Sequence, residues 1–159
     1  MPAVVPALVT FENWRPAWSP AFAELNREWI ENLLGFLEPE DVRVLADPEG
    51  TIIARGGVIL FAVLDGTPGA TGALIPIGRG EYELAKMAVA PAWRGQGIGR
   101  RLAERLIARA RELGATRLEL LSQTALPRAV PLYRNLGFRE IPMGGQVYER
   151  ANIRMELGL

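Results

Sequence analysis

The sequence predicts a domain of the mixed α/β class, in which several antiparallel strands precede a single strand–helix–strand unit. Three apolar segments lie between positions 58 and 90, and turn residues separate them. A glycine-rich turn, a long amphipathic helix and a further apolar strand follow. Strands joined through a helix lie parallel, whereas strands joined by tight turns lie antiparallel. We therefore expect a mixed sheet with one parallel pair.

The N-terminal part of the chain predicts a helix from Ser19 to Gly35. Ser19 followed by Pro20 is typical of an N-cap and a first helical position. Gly35 stands where such a helix would end. Between them, apolar side chains recur at helical spacing: Phe22, Leu25, Trp29, Ile30, Leu33 and Leu34. Asp47–Gly50, with the sequence Asp-Pro-Glu-Gly, indicates a turn.

The three apolar segments predict neighbouring strands. Val58–Leu64 is typical of a buried strand, and Ala70–Ile77 is its expected partner across a hairpin loop at Asp65–Gly69. Gly78–Gly80 is a second turn. Tyr82–Ala90 forms the next strand, which stops before Pro91.

The second half of the chain predicts the crossover. A helical stripe consists of Ile98, Leu102, Leu106 and Ala110, with Ala103, Ile107 and Leu113 beside it. Gly114 ends this helix. Arg117–Leu121 is the strand that we expect to lie parallel to the one before the turn. A short helix at Pro127–Asn135 and a strand at Asn152–Leu157 complete the order.

Length and composition indicate an ordinary globular protein. The 159 residues are 49% hydrophobic and 23% charged, so we expect residues 1–159 to form one domain. The longest apolar run, Val58–Leu64, is far shorter than the roughly 20 residues that span a membrane. The N-terminal segment has no basic region typical of a secretory signal. We therefore expect a cytoplasmic protein without a membrane partner.

Two missing residue types restrict the chemistry. The chain has no cysteine and no histidine. A cysteine nucleophile, a Ser–His mechanism and a thiolate metal site are therefore excluded, and no metal is expected. Acid–base chemistry is left to carboxylates, tyrosines, Lys86 or water.

Charge is divided between the two halves. Residues 1–85 hold 5 basic and 12 acidic residues, whereas residues 86–159 hold 13 basic and 6 acidic ones. A basic half suits a polyanionic ligand, although the two halves could equally intermix in space. Basic residues are not interleaved with aromatic ones, so we do not expect nucleic acid as a partner.

The turn from Arg94 to Gly99, Arg-Gly-Gln-Gly-Ile-Gly, is the most informative segment. Glycine reaches positive φ and lets a ligand approach the main chain closely. The helix that follows adds free N–H groups and the positive end of its dipole. Arg100 and Arg101 add charge. The turn therefore predicts a site for a phosphate-bearing cofactor.

Two known phosphate turns fit this segment poorly. A P-loop ends in Gly-Lys-Ser/Thr, whereas Gly99 is followed by two arginines. A dinucleotide fingerprint has Gly-x-Gly-x-x-Gly; Gly95 and Gly97 fit, but the third position is Arg100. Glu119 stands about 20 residues on, where a ribose-binding acid is expected, so this second interpretation stays open.

Two linked motifs carry a resemblance. Arg94-x-x-Gly97-x-Gly99, preceded by Met-Ala-Val-Ala-Pro and followed by a basic amphipathic helix, resembles motif A of the GNAT superfamily of N-acetyltransferases. The segment Ala129–Phe138, with Leu132-Tyr133 and Gly137, is similar to that superfamily's second signature. The resemblance covers about residues 81–138.

The resemblance implies a mixed, mostly antiparallel sheet of about six or seven strands flanked by helices, with one parallel βαβ crossover that binds acyl-CoA. It implies acetyl-CoA as co-substrate. The pantetheine arm would lie along Met87, Ala88 and Val89, and a main-chain N–H of Met87 or Ala88 would hold the thioester oxygen. The diphosphate would lie on Arg94, Gly95, Gln96, Gly97, Ile98, Gly99 and Arg100.

The resemblance also implies two catalytic side chains. Tyr133 occupies the position near the CoA sulfur, where its phenol can protonate the leaving thiolate or merely hydrogen-bond it; a buried structural tyrosine is the alternative. Glu83 is the candidate base, which would act on the amine through water; Glu81, Glu28 and water alone are the alternatives. Many family members carry asparagine before the second motif, and Gln123 or Thr124 would have to replace it here.

The expected reaction moves an acetyl group to a primary amine of a small molecule or peptide by direct attack in a ternary complex. Acceptor-site candidates are Trp14, Trp18, Trp29, Phe36 and Tyr148, with Glu24, Glu28 or Glu31 to meet a cation; the alternative is that the aromatics belong to the core and the acids to a solvated helix face. A homodimer is compatible with the family. A non-catalytic CoA- or dinucleotide-binding regulatory module is the alternative function.

Overall fold

The computed structural model describes residue 4, residues 6–145 and residues 148–159. Its centre is a seven-stranded sheet with the strand order β1-β2-β3-β4-β5-β7-β6. The strands are β1 Thr10–Asn13, β2 Val58–Leu64, β3 Thr67–Gly78, β4 Glu81–Val89, β5 Arg117–Ser122, β6 Arg139–Ile141 and β7 Ile153–Gly158. The α-helices in this part of the chain are α1 Ser19–Trp29, α2 Pro39–Ala46, α3 Pro48–Thr51, α4 Ile98–Glu112 and α5 Ala129–Asn135.

The sheet is mixed and mostly antiparallel, as the sequence predicted. The pairs β1–β2, β2–β3 and β3–β4 are antiparallel, and so are the pairs β5–β7 and β7–β6. Only β4 and β5 pair in parallel within the described residues, and helix α4 connects them. The expected strand–helix–strand crossover is therefore confirmed.

Helices cover both faces of the sheet. Both faces are apolar because successive residues of β2 point alternately into two cores. Leu60 and Ala62 belong to a core with α4, whose buried stripe is the predicted Ile98, Leu102, Leu106 and Ala110. Ile59, Phe61 and Val63 face the opposite core, which contains Phe22 of α1 and Val44 and Leu45 of α2. Leu113 departs from the predicted stripe: it lies beyond the last turn of α4 and is 46% exposed.

Two predicted turns differ in detail from what the sequence indicated. The β2–β3 hairpin turns at Asp65 and Gly66 alone, both with positive φ, and β3 already begins at Thr67. Asp47 does not merely turn the chain: its carboxylate accepts a hydrogen bond from the Gly50 N–H and caps the single turn of α3.

The N-terminal helix ends as predicted but begins differently. Ser19 is its first helical residue and makes no capping hydrogen bond, so the predicted N-cap is wrong by one position. After Trp29 the helix continues as a π-helical turn over Ile30–Leu34 and stops at Gly35, whose φ is +94°. This wider turn carries Leu33 and Leu34 towards the site described below.

Three elements were not predicted from the sequence: β1, α2 and β6. The two strands are short and polar, and both lie at sheet edges. Helix α2 begins with a capping box in which the Glu38 side chain accepts from the backbone of Asp41 while Asp41 accepts from the Glu38 N–H. No helix in the described part of the chain combines the length and hydrophobicity that crossing a bilayer requires.

Candidate active site

Strands β4 and β5 separate after a short parallel ladder. They pair only at Glu81–Arg117, Tyr82–Leu118 and Glu83–Glu119. Beyond this point β5 continues against β7 as far as Ser122, while no strand among the described residues pairs with the β5-facing edge of β4. The gap widens into a cavity of about 700 Å³. Its walls are β4 from Glu83 to Val89, the turn before α4, the end of β5, α5, the π-helical turn and residues 148, 150 and 151.

A bulge shapes β4 at the cavity. Ala85 pairs with Ala73 and Ala88 pairs with Thr71, so Lys86 and Met87 together face Gly72. Lys86 has a φ of +56°, which is uncommon for a residue with a side chain. A Cβ at Gly72 would overlap Met87 Sδ, so glycine is needed where the bulge presses on β3. The bulge turns the Lys86 side chain towards the cavity.

The glycine turn holds a row of free backbone donors. Gly95 and Gly97 have φ of +76° and +78°, and α4 begins at Ile98 without a side-chain cap. None of the N–H groups from Gly95 to Arg100 donates to another described residue; the first bond of the helix runs from Arg101 N–H to the Gly97 carbonyl. Such a row at a helix N-terminus can bind a phosphate group.

The side chains of this turn are less free than its backbone. Arg94 donates to the Val89 carbonyl at 3.0 Å and to the Glu28 carboxylate at 2.5 Å. Gln96 donates to the Ala92 carbonyl at 3.2 Å and is not part of the cavity wall. Arg100 is exposed and lies 3.7 Å from Glu104. A ligand at the turn would therefore meet main-chain amides first.

Glu83 lies where the two strands part, and its side chain is half-buried and lines the cavity. Burial raises the pKa of Glu83 to about 7; Lys86 acts against this rise, and Glu119 and Glu40 add to it. A carboxylate with this pKa can accept a proton near neutral pH. The two rivals lie elsewhere: Glu81 faces Arg117 outside the cavity wall, and Glu28 bonds to Arg94 and Asn32.

Tyr133 of α5 lines the same cavity from the other side of the gap. Its ring packs edge-on against Phe138, with 5.9 Å between ring centroids. Burial raises the pKa of Tyr133 to about 12, so the phenol keeps its proton at neutral pH. Its hydroxyl forms no hydrogen bond with the residues that the structure describes, which leaves it available to a ligand.

A buried ionic cluster, which sequence reasoning did not find, forms the wall behind Glu83. We define it as Glu38, Asp41, Lys86, Tyr148 and Arg150. Asp41 is fully buried and accepts from Lys86 Nζ at 2.7 Å and from both terminal nitrogens of Arg150 at 2.7 and 3.0 Å. Arg150 also donates to Glu38 at 2.7 Å. The cluster fastens α2 and the segment before β7 to strand β4.

The signal for this cluster was Lys86 itself. It is the chain's single lysine and stands in an otherwise apolar strand segment, Leu84 to Val89. A charged side chain in such a place is paired when it is buried. Its partners lie 45 and 62 positions away, so no local pattern pointed to Asp41 or Tyr148.

The acceptor-site candidates separate into two groups. Trp29 and Tyr148 line the cavity. Trp14 and Trp18 pack instead against Phe61 in the core under α1, and Phe36 is 64% exposed outside the cavity wall. Glu24 and Glu31 both lie beside Arg27, at 3.8 and 3.5 Å. Trp14, Trp18 and Phe36 therefore do not line this cavity.

The side chains just before the second motif already form hydrogen bonds within the protein. Gln123 lines the cavity, but its amide nitrogen donates to the Arg150 carbonyl at 2.6 Å and its oxygen accepts from the Ala125 N–H. Thr124 accepts a hydrogen bond from Asn152 at 2.8 Å. These contacts hold residues 150–152 beside the end of β5.

Comparison with known proteins places this architecture in a family. The sequence matches the acetyltransferase (GNAT) family over residues 10–138. It is 31% identical over 106 residues to the uncharacterized N-acetyltransferase YjgM of Escherichia coli K12, which covers 67% of this chain and 56% of that protein. It is 33% identical over 131 residues to the N-alpha-acetyltransferase RimI of Mycobacterium tuberculosis, which covers 82% of this chain and 67% of that protein.

A solved structure agrees in fold. The putative acetyltransferase yncA of Salmonella typhimurium, determined with its cofactor acetyl-CoA, superposes with a TM-score of 0.77 at 21% identity and covers 94% of this chain and 93% of that one. The chain spans just over half the length of the E. coli relative. The match to the family extends over most of the described fold, including the glycine turn and the α5 motif. The chain belongs to the GNAT family of acetyltransferases.

Proposed function

We propose that this chain transfers an acetyl group from acetyl-CoA to a primary amine of a small molecule or peptide by direct attack in a ternary complex. Residues 1–159 would act as one catalytic domain in the cytoplasm, alone or as a homodimer. The name of the M. tuberculosis relative, an N-alpha-acetyltransferase, supports an amino group as acceptor. The S. typhimurium neighbour, solved with acetyl-CoA, supports the cofactor.

The observation that carries the proposal is the row of free amides from Gly95 to Arg100 at the mouth of the cavity. These donors fit a diphosphate because α4 adds its positive dipole end and the glycines leave the backbone open to a ligand. From the turn, the cavity continues along the open edge of β4 at Met87, Ala88 and Val89 to Glu83 and Tyr133. A long, narrow cofactor with a diphosphate at one end suits this path.

Acetyl-CoA supplies the thioester, whose carbonyl carbon is the electrophile. Glu83 takes a proton from the acceptor ammonium, directly or through water, and so produces the neutral amine that can attack. A main-chain N–H of Met87 or Ala88 holds the carbonyl oxygen as negative charge develops on it. Tyr133 gives its phenol proton to the sulfur as the C–S bond breaks, and the phenolate then takes up the second proton of the nitrogen that has attacked, which restores Tyr133 and leaves the neutral amide. Without cysteine or histidine, the chain has neither a cysteine nucleophile nor a Ser–His pair with which to form a covalent acyl-enzyme.

A thiol-release assay tests the proposal. Acetyl-CoA is incubated with the protein and a panel of amines, amino acid amides and short peptides, and free CoA is measured with DTNB. The chain has no cysteine, so the protein contributes no background to this reagent. Isothermal titration with acetyl-CoA, CoA and NAD runs in parallel. Tight CoA binding without thiol release across the panel would favour a non-catalytic module, and preference for NAD would favour a dinucleotide site.

Replacing Tyr133 by phenylalanine is expected to lower kcat several-fold while the KM for acetyl-CoA stays nearly unchanged. The ring keeps its packing on Phe138, but the group that protonates the thiolate is lost. Tyr82→Phe is the matched control, because Tyr82 packs on the α4 side of the sheet and does not line the cavity. Steady-state DTNB rates measure both variants. A wild-type kcat in Tyr133→Phe would remove the acid role.

Replacing Gly97 by alanine is expected to raise the dissociation constant of CoA about tenfold. A Cβ at this position meets no protein atom, so it would occupy space open to the ligand. Gly114→Ala is the control: Gly114 has the same φ of +78°, is equally open and lies at the far end of α4. Both variants should lose about 1–2 kcal/mol of unfolding free energy through backbone strain. Equal CoA affinity in the two would contradict the diphosphate site.

A further inference from the structure

Tyr148 reaches the cavity with its hydroxyl already fixed by Lys86. Lys86 Nζ lies 2.9 Å from the Tyr148 oxygen and 4.7 Å from the centre of its ring. An ammonium group only donates hydrogen bonds, so the phenol oxygen must be the acceptor. The hydroxyl hydrogen therefore points away from Lys86. Within the described part of the chain, it finds no acceptor.

The direction of Lys86 is itself fixed. Its backbone occupies the bulge of β4, and its ammonium is held at 2.7 Å by Asp41, which two nitrogens of Arg150 anchor in turn. The Arg150 guanidinium lies 5.2 Å from the Tyr148 ring centre. The ring therefore lies against two cations that do not move independently of the ionic cluster. Burial also raises the pKa of Tyr148, which keeps the hydroxyl protonated.

We infer that Lys86, held by Asp41, is a positioning residue that turns the Tyr148 hydroxyl hydrogen into the cavity, where it binds a carbonyl oxygen next to the acceptor amine. This inference rests on the proposed function and names its acceptor class. Lys86 and Arg150 are balanced by Asp41 and Glu38, and Glu83 adds negative charge when it ionises. A neutral amide carbonyl therefore suits the site better than a carboxylate.

The rest of this wall is apolar. Trp29, Leu33 and Leu34 line it from the end of α1 and the π-helical turn. An apolar group on the acceptor would lie against these side chains. The class that satisfies both features is an α-amino amide or peptide N-terminus that begins with an apolar residue.

The test uses matched pairs of acceptors that differ only in the carboxamide: phenylalaninamide with phenethylamine, and leucinamide with 3-methylbutylamine. For each pair, the ratio of kcat/KM for the amide to kcat/KM for the plain amine is measured in wild type and variants. The different basicities of the two amines cancel when ratios are compared between proteins. Tyr148→Phe is expected to lower the ratio about 5- to 10-fold, the effect of one lost hydrogen bond.

Lys86→Met should lower the ratio in the same way, and the double variant should lower it no further than either single variant. Lys86→Arg, which can donate to both partners, should restore part of it. Tyr82→Phe should leave the ratio unchanged. Isothermal titration with phenylalaninamide in the presence of CoA gives a second readout, in which Tyr148→Phe weakens binding by the same factor. The kcat/KM ratio and the titration of Tyr148→Phe test the inference even if the Lys86 variants do not fold.

Other outcomes overturn the inference. If Tyr148→Phe lowers kcat/KM equally for the amide and the plain amine of each pair, or lowers it for neither, Tyr148 does not bind the carbonyl. If wild type acetylates the plain amines and not the amides, the acceptor class is wrong, while acetyl transfer stands. If wild type binds CoA and acetylates no member of either pair, this class fails, and the broader panel decides the proposed function separately.

Discussion

Glu83→Gln is expected to lower kcat about 10²- to 10³-fold at pH 7.5 with acceptors whose amine is protonated in solution. The amide has nearly the same shape but cannot accept the proton that the ammonium must lose before it attacks. Glu83 lies at the point where β4 and β5 part. Among the residues that the structure describes, it is the only carboxylate that lines the cavity, so no neighbour can take its place. Steady-state rates from thiol release measure the loss.

The pH profile gives the sharper result. With the pKa of Glu83 raised to about 7, the wild-type rate should rise with pH through neutrality as this carboxyl ionises. Burial causes most of this rise in pKa; Lys86 opposes it, and Glu119 and Glu40 assist it. The acidic limb should vanish in Glu83→Gln and persist in Glu81→Gln, the matched control two residues away on the same strand. A Glu83→Gln profile that keeps its acidic limb would exclude Glu83 as the base.

The stability of the same variant has a predictable sign. A carboxyl whose pKa is raised on folding binds its proton more tightly in the folded state. The fold therefore loses stability as pH rises from about 4.5 through 7, by up to about 3 kcal/mol for a shift of this size. Glu83→Gln should be more stable than wild type at pH 8 and similar to it at pH 4. A gain in stability with a loss of rate is typical of a group kept for its chemistry.

The parts of the fold that were predictable are those specified by local sequence. The turn at Gly97, whose φ is +78°, is indicated by closely spaced glycines. Helix α4 is indicated by apolar residues four positions apart, such as Ile98 and Leu102. The parallel pairing of β4 and β5 then follows from the helix that joins them. Strands β1 and β6 escaped prediction because each is a short edge segment whose pairing depends on a strand distant in sequence.

The candidate site was predictable only where a motif is continuous. The turn at Gly95–Gly99 and Tyr133 of α5 were both found, and the structure places them beside one cavity; their roles remain predictions. Trp14 and Trp18 were candidates both for the acceptor site and for the core because an aromatic side chain suits either place, and the structure packs them against Phe61 in the core. Contacts such as Asp41 to Lys86 depend on tertiary structure, which brings α2 against β4.

Asp41→Asn is expected to destabilise the fold by about 3–5 kcal/mol, because it leaves the buried Lys86 ammonium and the half-buried Arg150 guanidinium facing a neutral amide. Asp41 is fully buried and bonds to Lys86, to Arg150 and to the Glu38 N–H. For a chain of this length, such a loss lowers the melting temperature by roughly 10 °C or more. Thermal and urea unfolding followed by circular dichroism measure it.

Asp47→Asn is the matched control for this prediction. Asp47 also accepts a backbone hydrogen bond at a helix N-terminus, from Gly50 at 3.0 Å, but it is exposed, and asparagine caps a helix about as well as aspartate. Its replacement should change stability by less than about 0.5 kcal/mol. A similar small effect at Asp41 would show that the ionic cluster contributes little to holding α2 on β4.

The stability difference between wild type and Asp41→Asn depends on pH through the pKa of Asp41. Burial acts to raise that pKa, but hydrogen bonds from Arg150 and the charge of Lys86 outweigh it and hold the pKa below its usual value. The stabilisation by the Asp41 charge is therefore complete above about pH 4 and is lost as pH falls through the lowered pKa. Wild type and Asp41→Asn should accordingly differ most at neutral pH and converge in acid. A difference that stays constant down to pH 2 would indicate that Asp41 stabilises the fold by packing and not by its charge.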